Sequence, residues 1–178
     1  NPHKTAKNHL KLTIILAILS IIFAYSSYSF YGHLNIHRSY KTIKNLNQDI
    51  RSAQQDSKES GGKSIIYLYN KQTNNSCLTD MPSLCWGGNT SCTRSIYCIV
   101  KSKRGSIELV TKQKLGTASL IFEGSKENGL KTINLNDDGL FDLTDDSDEN
   151  IIEFKHTSLE DLPIIKLHSS GLTEIISN

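Results

Sequence analysis

The chain has 178 residues, 37% of them hydrophobic and 21% charged, which suits one folded domain with an added segment and excludes an intrinsically disordered chain. The net charge of +2 hides a segregation: Lys4, Lys7, Lys11, Arg38, Lys41 and Lys44 precede the first acid, Asp49, whereas Asp137, Asp138, Asp142, Asp145, Asp146, Asp148 and Glu149 crowd the stretch between Lys131 and Lys155. The basic residues flank an apolar run and are not interleaved with aromatics on a strand platform, so they point to a membrane surface and away from nucleic acid.

Residues 1–9 form a basic N-terminal segment, and residues 10–30 read LKLTIILAILSIIFAYSSYSF, a predicted transmembrane helix. A spanning helix needs about 20 mostly apolar residues at about 1.5 Å each. Its apolar body is Ile14, Ile15, Leu16, Ile18, Leu19, Ile21, Ile22 and Phe23, with Lys11 at one edge, where its ammonium can reach the headgroups, and Tyr25, Tyr28, Phe30 and Tyr31 at the other. A cleaved secretory signal is the rival reading, with Ser26 and Ser27 as the small residues near a cleavage site. The length of the run, and the helical pattern that continues past it, favour a retained anchor. Basic residues are nearly balanced across the run, so charge alone does not orient it.

Over residues 31–60, Leu34, Ile36, Tyr40, Ile43, Leu46, Ile50 and Ala53 recur at steps of mostly three and four, which predicts an amphipathic helix. The two helices are expected to form one element that ends at Gly61-Gly62. Gly61-Gly62-Lys63-Ser64 also resembles the end of a phosphate-binding loop, but Ser57 stands at the first glycine position. A helix precedes it and a strand pattern follows, the reverse of what phosphate cradling needs.

From residue 63 to 178 the period changes to that of a β-rich domain. Strands are predicted at 64–69, 95–100, 107–110, 118–122, 131–135, 151–154, 164–167 and 172–176, separated by turn signals such as Arg104-Gly105, Asp137-Asp138-Gly139 and Ser170-Gly171. Parallel pairs would need crossover helices for which there is no pattern, so the expected class is α+β: a long N-terminal helix packed on an antiparallel β-rich domain. Cys77, Cys85, Cys92 and Cys98 are an even set in a loop-rich stretch, with gaps of seven, six and five residues. None of these is the short C-x-x-C spacing of a zinc knuckle, so the four are disulfide candidates, with zinc ligands or buried free thiols as the alternatives. Disulfides place the domain in an oxidising, extracytoplasmic compartment and orient the anchor. Trp86, beside Cys85, is expected to anchor its loop rather than to stack on a ligand.

Asn134, Asn136, Asp138, Gly139, Asp142 and Asp145 fall at the offsets of an EF-hand-like calcium loop, with Phe141 at the apolar position. The first ligand position is Asn, the last is Asp instead of a bidentate Glu, and no helix pattern precedes it, so an acidic β-turn is the expectation. His156 with Ser158, and His168 with Ser169, are neighbours in sequence only, and the acidic pair Glu160 and Asp161 precedes Pro163 in a loop pattern. No nucleophile constellation follows from adjacency, so the expectation is a protein that is not an enzyme and carries no cofactor.

An apolar then amphipathic N-terminal helix followed by a cysteine-bearing β domain resembles the type IV pilin superfamily, and within it the minor pseudopilins and minor pilins of the GspH/FimT kind. The resemblance is carried by Leu46-Asn47-Gln48-Asp49-Ile50-Arg51-Ser52-Ala53-Gln54-Gln55 at the helix end, by the strand Ile65 to Leu68, and by Trp86-Gly87-Gly88. Later segments add to it: Ala118-Ser119-Leu120-Ile121-Phe122-Glu123-Gly124 and Ile164-Ile165-Lys166-Leu167-His168-Ser169-Ser170-Gly171. It implies a membrane-anchored structural subunit of a type II secretion or type IV pilus assembly in the bacterial inner membrane, with its globular domain periplasmic or extracellular. Its partners would be other pilin-like subunits, met through the N-terminal helix. The chain departs from that family in two places: with Leu10 as first mature residue, His9 stands where the family has Gly and Ile14 where it has Glu. A tip subunit can lack that Glu. The alternative reading is a single-pass anchored extracytoplasmic binding domain acting outside any filament.

Overall fold

A computed structural model describes residues 2–70, 82–86, 95–116, 120–123, 130–142, 151–157 and 162–177. One long helix, α1, spans Pro2–Ser60, and the chain divides into two compact units, Asn1–His37 and Arg38–Asn178. The first unit contains only the apolar half of α1. The second combines the other half of α1 with β1 (Lys63–Tyr69), the short α2 (Ser83–Trp86), β2 (Ile96–Lys103), β3 (Ser106–Lys114), β4 (Leu120–Glu123), β5 (Leu130–Leu135), β6 (Ile151–His156), β7 (Ile164–Leu167) and β8 (Thr173–Ile176). The class is therefore α+β, with antiparallel sheets.

The strands form two four-stranded sheets, ordered β3-β2-β1-β5 and β4-β6-β7-β8, with every described pairing antiparallel. The chain changes sheet on passing from β3 to β4, from β4 to β5 and from β5 to β6, so neither sheet is complete without the other. Two side chains bridge these changes. Asn70, just after β1, uses its amide as a substitute peptide unit: its Nδ2 donates to Phe122 O on β4, and its Oδ1 accepts from Phe122 N at 2.7 Å. Lys131 on β5 donates to the carbonyl of Ile151 on β6 at 2.8 Å.

Period-two alternation decides what each sheet buries. On β1, Ser64, Ile66 and Leu68 face the core, and on β2, Tyr97 and Ile99 join them. They meet Ile43, Leu46, Ile50 and Ala53 of α1 together with Phe122, Ile152, Phe154, Ile165 and Leu167 of the second sheet in one cluster. Burying each large aliphatic side chain contributes about 1.5–3 kcal/mol, so this stripe of α1 is a structural part of the domain. The opposite face of β1 and β2 carries a smaller cluster of Tyr69, Ile96, Cys98 and Val100 with Cys85, packed against by Ile65, Tyr67 and Leu130.

The buried seam of α1 runs Ser39, Ile43, Leu46, Ile50, Ala53 and Ser57, alternating steps of four and three. Tyr40, expected on this stripe, is 45% exposed; the hydroxyl residues Ser39 and Thr42 take its turn of the helix. Thr42 explains why a small group is needed there: its Oγ1 accepts from the backbone of Gly116 at 3.2 Å, and a Cβ on Gly116 would sit 2.8 Å from that oxygen. The helix stops at Gly61, whose φ of +64° sets the left-handed cap and whose N donates to Ser57 O at 2.9 Å. Gly61-Gly62-Lys63-Ser64 is thus a helix stop followed directly by β1, and it does not open a helix as a phosphate loop must.

The second expected strand extends three residues beyond Val100, and the third fills nine residues instead of four. Both extensions come from mutual pairing through the Arg104-Gly105 turn, where Arg104 and Gly105 both have positive φ. The register of β2 with β3 shifts at Ile99/Val100, leaving Val110 as the extra residue of a bulge.

Candidate functional site: the exposed helix and the helix-sheet junction

Every expected membrane residue, Ile14, Ile15, Leu16, Ile18, Leu19, Ile21, Ile22 and Phe23, is between 51% and 77% exposed. Such a run of exposed large apolar side chains is unfavourable in water. α1 is long and apolar enough to cross a membrane, and none of its apolar window is buried. Three of its hydroxyls are also fitted to an apolar solvent. Thr13 donates to His9 O at 2.9 Å, and Ser20 and Ser27 donate to Leu16 O and Phe23 O at 2.8 Å each. These three hydroxyls are satisfied within the helix, so they need not be desolvated unpaired in lipid.

In the Arg38–Asn178 unit, the end of α1 presents a row of polar groups to both sheets. Gln54 is buried, and its Nε2 donates to Gly139 O at 3.1 Å and to Gly171 O at 2.7 Å. Those glycines sit in two turns, one closing residues 136–140 and one closing 168–172, and both have positive φ. The turns touch: a Cβ on Gly171 would meet Leu140 Cδ2 at 3.2 Å, and one on Gly139 would meet Gln54 O at 2.5 Å. One helix turn lower, Arg51 donates from Nε to Thr173 Oγ1 at 2.9 Å and from Nη2 to Thr173 O at 2.7 Å. Gln54 and Arg51 thereby pin both sheets to the helix.

Toward the first sheet, Tyr97 donates its hydroxyl to Asp49 Oδ2 at 2.7 Å, and Lys101 pairs with Asp56. Burial, then the hydrogen bond and the negative charge of Asp49, push the Tyr97 phenol above its ordinary value. The hydroxyls of Ser57 and Ser64 meet at 2.9 Å and are buried. Among the described residues, Ser39 Oγ and Asn47 Oδ1 are buried without a hydrogen-bond partner. His156, at the end of β6, is buried, and desolvation lowers its pKa below the ordinary 6.5.

Of the cysteines, Cys85 and Cys98 are joined, with Cα atoms 5.7 Å apart, tying α2 to β2. Cys77 and Cys92 lie outside the described residues, as does the ring of Trp86 at the end of α2. The calcium-loop pattern resolves into a hairpin turn: Gly139 N donates to Asn136 O, Asn136 N to Leu140 O and Asp142 N to Asn134 O, all at 2.8–2.9 Å. Asp145 is outside the described residues, and among those described no three His, Cys, Asp or Glu side chains gather as a metal site. His168 lies 3.6 Å from Glu174, while Ser158, Glu160 and Asp161 are not described.

Sequence reading does not single out Asp49, Arg51, Gln54 or Asp56 as contact residues, although the first three sit in the Leu46–Gln55 segment that carries the family resemblance and Asp56 directly follows it. The available signal was polar residues on or beside a helical seam, which a solvated helix face shows equally well. No family model, curated protein or solved structure matches this chain.

Proposed function

We propose that the chain is a pilin-like subunit, of the minor pseudopilin or minor pilin kind, held in the bacterial inner membrane by residues 10–30 with its β domain on the periplasmic or extracellular side. Its role is structural: the apolar helix packs with the helices of other pilin-like subunits in a type II secretion or type IV pilus assembly. The observation that carries this reading is the division of labour along α1. From Leu12 to Tyr31 the helix exposes large apolar side chains, and from Ser39 to Ser57 it packs a buried seam into the core of the domain. A tether to a free-standing binding domain has no need of the second half, whereas a subunit that transmits position from a helix bundle to a folded head does. The Cys85–Cys98 disulfide supports the extracytoplasmic side.

Photo-crosslinking from Ile18, in the membranes of the cell that makes the protein, tests the reading. Adducts with other single-helix, pilin-like proteins are the expected result. Adducts with lipid alone would overturn it in favour of a single-pass anchored binding domain outside any filament.

A further inference from the structure

Sheet one has opposite charges at its two edges. β3, at one edge, continues from a turn bearing Lys103 and Arg104 and ends in Lys112 and Lys114, all exposed, with Glu108 the lone acid between them. β5, at the other edge, runs into the 136–142 hairpin with Asp137, Asp138 and Asp142 exposed. The one base there, Lys131, is turned to the Ile151 carbonyl.

Among the described residues β3 has no strand partner on its outer side, and Ile107, Leu109 and Val110 are 52%, 38% and 42% exposed. A long edge strand with apolar side chains invites pairing, and charge decides with what. A second β3, laid antiparallel about Leu109, would set Lys114 against Arg104 and so repel. The acidic hairpin has the opposite sign and is held in advance of any contact, by its own turn bonds, by Gly139 at φ +70° and by the Gln54 amide.

We propose that the β3 edge of one copy receives the 136–142 hairpin of a second copy, joining chains head to tail. Because the joined surfaces differ, the contact does not close on itself and propagates along a row of copies. The inference rests on the assembly role proposed above and names a contact within it.

The test places a photo-crosslinking residue at Ile107 in the full chain in lipid membranes, with a parallel probe at Ile18. The expected result is a ladder of crosslinked copies from Ile107, mapped to residues 136–142. It should weaken roughly tenfold when Lys112→Glu and Lys114→Glu are combined, and fall on raising salt from about 0.1 M to about 1 M, as Debye screening shortens. Mixing that variant with an Asp137→Lys, Asp138→Lys chain should restore the crosslink between the two; all four side chains are exposed, and unchanged melting confirms that the fold is kept. A ladder from Ile18 with none from Ile107 would overturn the edge contact and leave the assembly role standing. A ladder from Ile107 that is indifferent to charge reversal, or that maps to β3 itself, would overturn the head-to-tail pairing. No ladder from either probe would overturn the edge contact, and the assembly role is then decided by the Ile18 adducts with other pilin-like proteins in native membranes.

Discussion

Gln54 is a single side chain on which two sheets converge, and its value follows from the groups it would abandon. Gln54→Ala leaves the carbonyls of Gly139 and Gly171 without their donor in a buried corner. An unsatisfied buried acceptor costs about 1–3 kcal/mol, so chemical denaturation should show a loss in that range, and Gln54→Met, which restores volume without the amide, should not recover it. Tyr97→Phe is expected to be milder, about 1 kcal/mol, because the half-exposed Asp49 it abandons can turn to water. His156 gives a pH dependence of known sign. Burial holds its folded pKa below 6.5, so as pH falls through 6.5 the unfolded chain binds a proton that the folded chain resists. Stability therefore declines on acidification and levels off below the folded pKa. The denaturation midpoint measured from about pH 7 to about pH 5 should fall less steeply in His156→Gln than in the parent.

At the scale of elements, the seam of α1 and the disulfide of α2 do different work. Ile43 is 1% exposed within the main core, so Ile43→Asp both opens a cavity and buries a charge, and should destabilise the domain by about 3–5 kcal/mol. A chain beginning at Asn35 should melt cooperatively, and one beginning at Ser64, which lacks the seam altogether, should fail to do so. Equal melting of the two would show that the helix is dispensable to the sheets. The disulfide spans a sequence separation of 13 and fastens a four-residue helix that could not persist alone. Closing a loop of that size contributes about 3 kcal/mol through the unfolded chain. Reduction should lower stability by about that amount, and the Cys85→Ser chain should become insensitive to reductant if no other bridge contributes.

For the whole molecule the question is whether the apolar half of α1 stays attached. Its exposed apolar side chains, with the Ser20 and Ser27 hydroxyls bonded within the helix, suit a helix that remains in lipid, and mass spectrometry of the native protein should find residues 14–23 retained. An N-terminus just after Ser26 would show a cleaved signal instead, and one at Leu10 would show processing of the pilin type despite His9 and Ile14.

Local periodicity made much of this legible. The lipid-length run, the helical stripe through Ile43, Leu46 and Ile50, the Gly61 stop and all eight strand positions depend on repeats of 3.6 and 2 that neighbouring residues impose on one another. Distance along the chain hid the rest. The allotment of strands to two sheets depends on which edges meet, and the reach of β3 to Lys114 depends on β2 lying beside it. The junction joins Arg51 to Thr173 and Gln54 to Gly139 and Gly171, pairs separated by 85 to 122 residues. Polar residues such as these have the same local signature whether they face water or a buried carbonyl. Only the packing of the helix between two particular turns decides which, because a hydrogen bond is fixed by the position of its partner and not by the residues beside it in sequence.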